Sequence, residues 1–146
     1  MIYLLRHGEA EKGDGNDAAR RLTGKGERQS ETAGRALAAL GVTIDVCLTS
    51  PKVRAADTAK LACRALAVEP EVAGELSGGG FDALGLSTGC GEAILVGHEP
   101  DFSDEIARLT GARAKLRKGG LAIVDGNTLL ALLRPQELAA IAASQD

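Results

Sequence analysis

The chain reads as a three-layer α/β/α sandwich, an α/β protein with a mostly parallel central sheet and an antiparallel hairpin near the C-terminus. Short apolar runs alternate with longer helical patterns, which is the order of strand and crossover helix in a parallel sheet. Ile2–Leu5 and Ala93–Val96 are apolar without interruption, as strands buried on both faces are. Leu121–Val124 and Thr128–Leu133 are separated only by Asp125-Gly126-Asn127, the signature of a tight hairpin turn.

The first strand, Ile2–Leu5, gives way to a polar stretch from Glu9 to Arg21 in which Gly13-Asp14-Gly15-Asn16-Asp17 reads as a flexible loop. Thr23 is placed to cap a helix running to about Leu40, with Ala33, Leu37 and Leu40 on one stripe and Gly41 as its stop. Ile44–Leu48 is the second strand. In Thr49-Ser50-Pro51 the sequence predicts a helix start with Ser50 as cap and Pro51 at the first position, which puts Arg54 in or beside the first turn. That helix extends to about Leu66 and buries Ala55, Ala59, Ala62, Cys63 and Leu66. Residues 69–92 receive no assignment beyond a short helix near Phe81–Leu86. Ala93–Val96 is the third strand; after Gly97-His98-Glu99-Pro100 a helix carries Phe102, Ile106 and Leu109 to Gly111. Pro135 opens the last helix, which buries Leu138 and Ile141.

At 146 residues the chain fits one domain, 1–146. With 2% aromatic residues and no Trp, the core must be aliphatic. The net charge of −3 gives the surface no general attraction for nucleic acid or anionic membranes, so any phosphate site must be a local basic pocket. The three cysteines are odd in number and form no C-x-x-C pair. A reducing, cytoplasmic setting follows, with Cys47 and Cys63 buried as packing and Cys90 in a loop. Met1–Leu5 is too short an apolar run for a signal peptide or a membrane span.

Only two histidines occur, and each follows a buried strand at the end where open α/β sheets bind ligands. Arg6 stands beside His7, and Arg54 stands at a helix start after the next strand. Two guanidiniums aimed into one crevice repel each other unless an anion joins them, because arginine does not shed its proton. Phosphate matches their forked donors, and a nearby helix N-terminus adds free N–H groups. The alternative is that both arginines pair with surface carboxylates.

Arg6-His7-Gly8-Glu9-Ala10 resembles the RHG signature of the histidine phosphatase (phosphoglycerate mutase-like) superfamily. Val96-Gly97-His98-Glu99-Pro100 is similar to its second histidine motif, and Ser50-Pro51-Lys52-Val53-Arg54-Ala55-Ala56-Asp57-Thr58-Ala59 to the segment that carries its second arginine. With Leu22-Thr23 and Gly26 the resemblance spans almost the whole chain. The short length and Arg20-x-Leu22-Thr23 bring it nearest to SixA-type phosphohistidine phosphatases. The resemblance implies a single histidine phosphatase-like domain without a large cap insertion. It implies that His7 is the nucleophile, and that Arg6, Arg54 and His98, with Gly8, hold the phosphoryl group. Arg20 matches a family arginine at the pocket mouth, the alternative being a solvated loop charge. Glu9 adds local charge near the nucleophile.

These roles are chemically sound. A neutral imidazole is a competent nucleophile near neutral pH, and fixed arginines stabilise the charge that spreads over the phosphoryl oxygens. No metal or other cofactor is then required. The expected function is a metal-independent phosphatase acting on protein phosphohistidine. The alternatives are a general phosphatase for small phosphate monoesters and a catalytically silent phosphate-binding domain. A monoesterase needs a general acid; Glu75 is the candidate, with Asp82 behind it, and either can equally be a solvated loop residue. A phosphohistidine substrate releases imidazole, which needs no strong acid. The expected partner is a phosphorylated protein or a small phosphate ester. Lys115, Arg117 and Lys118 read as surface charges able to flank an anionic partner.

Overall fold

The computed structural model describes residues 1–145. The elements in order are β1 (Ile2–Arg6), α1 (Gly24–Ala39), β2 (Val46–Thr49), α2 (Val53–Leu66), β3 (Pro70–Val72), α3 (Ala83–Leu86), β4 (Ala93–Gly97), α4 (Asp101–Thr110), β5 (Leu121–Asp125), β6 (Thr128–Leu133) and α5 (Pro135–Ala143), with 3₁₀ turns at Asp17–Ala19 and Gly74–Leu76. The strands form one six-stranded sheet in the order β3-β2-β4-β1-β5-β6. β1, β2, β3 and β4 are mutually parallel, whereas β5 runs antiparallel to β1 and pairs with β6 as the expected hairpin.

Because side chains alternate along a strand, the sheet feeds two separate cores. Tyr3, Leu5, Cys47, Ile94 and Val96 face the helical layer of α1, α2 and α5, meeting Ala33, Leu37, Ala59, Ala62 and Leu138. Ile2, Leu4, Leu48 and Leu95 face the opposite way, onto Phe102 and Ile106 of α4 and Ala83 of α3. Glu105, a buried carboxylate on α4, accepts the Ala83 N–H at 2.6 Å and pairs with Arg108, which staples α3 to α4. Cys47 and Cys63 lie inside the first core.

α1 starts as expected, with the Thr23 hydroxyl accepting the Gly26 N–H at 3.0 Å. α2 does not. It begins at Val53 with Lys52 as its cap, and the Ser50 hydroxyl accepts only the N–H of Lys52, ahead of the first helical residue. The reason is that Ser50 is still bound to the sheet, its N–H donating to the Val96 carbonyl at 2.9 Å, so the chain needs two more residues to turn. β2 likewise runs to Thr49, one residue later than the apolar run suggests, while Ile44 is buried ahead of it. The stretch 69–92 adds an edge strand, β3, that its polar sequence hides, and the short helix α3 falls where one was expected.

The parallel strands all end on one edge of the sheet, and their register sets what meets there. Arg6 is level with Gly97, and Thr49 with Val96. His7, Ser50 and His98 are therefore the first residues beyond three neighbouring strand ends.

Candidate active site

His7 leaves β1 with its N–H donating to the Gly97 carbonyl at 3.1 Å, so the two histidine-bearing strand ends are tied together. The rings of His7 and His98 lie 5.3 Å apart between centroids. The next residue, Gly8, donates its N–H to Thr58 Oγ1 of α2 at 3.0 Å, and the Thr58 hydroxyl donates in turn to the Arg54 carbonyl at 2.7 Å. Ser30 of α1 lies 3.1 Å from the same threonine oxygen. A Cβ at Gly8 would stand 2.5 Å from the Gly26 carbonyl oxygen, which is why only glycine fits beneath the N-terminus of α1. The loop after β1 is thus gripped by both helices.

His7 Nδ1 is 2.7 Å from the Gly8 carbonyl oxygen. A carbonyl can only accept, so Nδ1 carries the proton and the lone pair of the neutral ring lies on Nε2. The ring is held neutral: its pKa is lowered to about 4, chiefly by burial, with the charges of Arg54, Arg6 and Arg20 adding to the effect and the Gly8 hydrogen bond opposing it. His98 is lowered to about 3, again chiefly by burial and then by His7, Arg54 and Lys52. Its Nε2 lies 2.8 Å from the Ser50 hydroxyl oxygen, and that oxygen accepts the Lys52 N–H at 3.2 Å.

Around His7, three buried side-chain nitrogens lack partners among the described residues: Arg6 Nε, Arg54 Nε and His98 Nδ1. Buried polar groups are normally satisfied, and unpaired ones concentrated at one place mark where a ligand's polar atoms belong. Each guanidinium is also anchored to the protein. Arg6 donates through Nη1 to the Leu116 carbonyl at 2.9 Å. Arg54, 6% exposed, donates through Nη1 to the Asp17 carbonyl at 2.8 Å and through Nη2 to Asp17 Oδ2 at 3.2 Å.

Asp17 is the feature that sequence reading passed over as loop. Its exposed carboxylate lies 3.2 Å from Arg54, 3.2 Å from Arg20 and 3.5 Å from Lys52. The hydrogen bonds from Arg20 and Arg54 hold its pKa down to about 2, so it remains an anion at the pocket rim. Ser50, expected as a helix cap, is instead the partner of His98. Thr58 was visible only as a letter in a motif. The signal that could have singled these residues out is spatial and has no period along the chain.

The structure brings His7, Arg6, Gly8, Arg54 and His98 to one edge of the sheet, with Arg20 at the rim, half-buried and bonded to the Glu11 carbonyl at 2.7 Å. Of the two arginines, Arg54 has a carboxylate partner, Asp17, beside its unpaired buried Nε, whereas Arg6 has no carboxylate partner among the described residues. Glu75 sits on the 3₁₀ turn Gly74–Leu76 with its side chain exposed, and its carboxylate makes no hydrogen bond among the described residues. Asp82 is spent elsewhere: it caps α3 at Gly85 and pairs with Arg108 at 3.2 Å. Glu9 receives Lys25 at 3.6 Å. Among the described residues no group of three or more His, Cys, Asp or Glu side chains is disposed to hold a metal ion.

A family model, the histidine phosphatase superfamily (branch 1), matches residues 2–83. An uncharacterised protein of Picosynechococcus sp. is 32% identical over 134 residues, which is 82% of this chain and 81% of the relative. The fold is similar to that of the protein histidine phosphatase SixA solved with tungstate, at TM-score 0.81 and 23% identity over 94% of this chain and 98% of that one. It is also similar to the alpha-ribazole phosphatase of Shigella flexneri, at TM-score 0.72 and 19% identity over 91% and 95%.

Proposed function

The chain belongs to the histidine phosphatase superfamily, branch 1, and we propose that it is a metal-independent phosphatase that passes the phosphoryl group through His7, with protein phosphohistidine as its substrate. The observation that carries this is the set of three unpaired buried side-chain nitrogens, on Arg6, Arg54 and His98, arranged about a histidine whose free lone pair is on Nε2.

In the first step His7 Nε2 attacks phosphorus, a new P–N bond forms, and the P–N bond of the substrate breaks. The departing imidazole keeps its electron pair and takes a proton from solvent, for which its ordinary pKa near 6.5 suffices. Arg6, Arg54 and His98 meet the equatorial oxygens where charge spreads in the transition state, fixed beforehand by their other bonds. Water then attacks phosphorus, the His7–phosphorus bond breaks, and inorganic phosphate leaves.

The depressed pKa of His7 supports its role, since attack requires the neutral ring. The preference for a P–N substrate is supported by the candidate acid Glu75, which is exposed and has no hydrogen bond among the described residues to position it, as a monoesterase would need. The segment between β3 and β4 holds only a 3₁₀ turn and the four-residue α3, which leaves the site open to a side chain presented by another protein.

The test compares hydrolysis of a phosphohistidine protein with a panel of sugar and nucleotide phosphates, all in chelator without added metal. The expected result is selective loss of phosphate from the protein, with acid-labile phosphate trapped on wild type and absent from His7→Ala. Preference for the small esters would favour a general phosphatase. Failure to trap acid-labile phosphate with any substrate would favour a binding domain.

A further inference from the structure

A groove of about 1100 Å³ opens beside the phosphate pocket, between α1, the loop 111–120 and the start of α5, and Arg6 lines both. Its charge is one-sided. Lys25 and Arg28 of α1, Lys115, Arg117 and Lys118 of the loop, and Arg134 ahead of α5 all line it, against the single carboxylate of Glu9. All six cations are exposed. Lys25 is paired with Glu9 and Arg134 with Glu137, while Arg28, Lys115, Arg117 and Lys118 have no ion-pair partner among the described residues. On a chain of net charge −3 such a concentration is local, and like charges gathered on low-dielectric walls focus a positive potential.

The basic loop is fixed to the catalytic strands. The Leu116 N–H donates to Glu99 Oε2 at 3.0 Å, its carbonyl accepts from Arg6 at 2.9 Å, and the Gly119 N–H donates to the His7 carbonyl at 2.9 Å. The backbone of Leu116 thus bridges the end of β1 and the segment that follows β4. These bonds hold the basic wall of the groove at a fixed distance from His7.

We propose that this groove docks an acidic segment of the partner protein that presents the phosphorylated residue, a proposal that rests on the phosphatase reading above. The chemistry favours a peptide over nucleic acid. No aromatic side chain lines the groove, so there is no platform on which bases could stack, and the apolar contribution comes from Leu116, Pro135 and Ala139. Carboxylates of an extended chain suit dispersed lysines and arginines, and such rim charges act on encounter rate and salt dependence.

The test uses a glutamate-rich, unphosphorylated, fluorescently labelled peptide, its glutamine counterpart, and a single-stranded oligonucleotide of equal charge. Wild type is compared with Arg28→Glu/Lys115→Glu/Lys118→Glu, whose side chains are exposed and carry no ion pair. Anisotropy should show the glutamate peptide binding wild type, weakening with salt, and weakened about tenfold or more in the triple variant. The glutamine peptide and the oligonucleotide should bind less well than the glutamate peptide. In parallel, turnover of phosphoramidate, a P–N substrate without flanking chain, should be equal in the two proteins; this also shows that the variant is folded. Equal binding of the glutamate and glutamine peptides, or tighter binding of the oligonucleotide, would overturn the docking proposal even where phosphoramidate is turned over. Lack of phosphoramidate turnover in wild type would count against the phosphatase reading and leaves the binding result to be judged by itself.

Discussion

Among single residues, Asp17 has the most direct consequence for substrate binding. Its carboxylate occupies Arg54, Arg20 and Lys52, the cations at the pocket rim. An incoming phosphoryl group either displaces this anion or binds against its repulsion. Asp17→Asn keeps the size and the carbonyl contact to Arg54 but removes the charge. Competitive inhibition by inorganic phosphate should therefore tighten by roughly 3- to 10-fold, measured as the inhibition constant at neutral pH. An inhibition constant that is unchanged or weaker would mean that the carboxylate helps to organise the cations more than it competes with phosphate. The four motif residues were legible along the chain because each follows a strand end or opens a helix. Asp17 was not, since nothing in Gly13-Asp14-Gly15-Asn16-Asp17 distinguishes the carboxylate that folds back onto Arg54 from Asp14, three residues earlier.

At the level of elements, α1 and α2 form the grip on the loop after β1. Their approach is close enough that a Cβ at Gly34 would collide with the Ala62 carbonyl oxygen. Gly34→Ala should push the helices apart and cost about 1–3 kcal/mol of stability, as overpacking of a tight contact does. Gly8 and Arg54 both depend on Thr58 of α2, so kcat should fall as well. Urea unfolding and turnover on the same preparation check this, and an unchanged midpoint with full activity would show that the contact is compliant. Helical and apolar periodicity revealed α1, α4, α5 and the hairpin, because those elements bury one face. It missed β3, whose Pro-Glu-Val is mostly exposed at the sheet edge and carries no apolar run. It also started α2 two residues early, because Ser50-Pro51 satisfies the local rule for a helix start while the sheet still holds Ser50.

The whole molecule carries two buried neutral imidazoles, and its stability must reflect them. His7 and His98 titrate near 4 and 3 in the folded chain, against an ordinary 6.5. Between those limits the unfolded chain binds protons that the folded chain refuses, so stability rises with pH there. The contribution is complete above about pH 6.5 and is lost as the pH falls towards the folded values. In a buffer free of phosphate and sulfate, the urea midpoint should drop between about pH 7.5 and pH 4.5 by the equivalent of a few kcal/mol. His7→Asn/His98→Asn should flatten that decline. A wild-type midpoint that stays level across this range would show that the rings are free to charge. Among the described residues no helix is long and apolar enough to cross a membrane.

Read along the chain, the residues were enough to assign the α/β sandwich with its C-terminal hairpin and to pick out Arg6, His7, Arg54 and His98, because strand burial, helix periodicity and turn chemistry act over a few neighbouring positions. Only the folded chain decided that Ser50 serves His98, that Thr58 holds Gly8, that Asp17 occupies the arginines and that seven cations share one groove. These are contacts between segments distant in sequence, set by the register of β1, β2 and β4 and by how the helices lie across them. No local pattern encodes a distance of that kind.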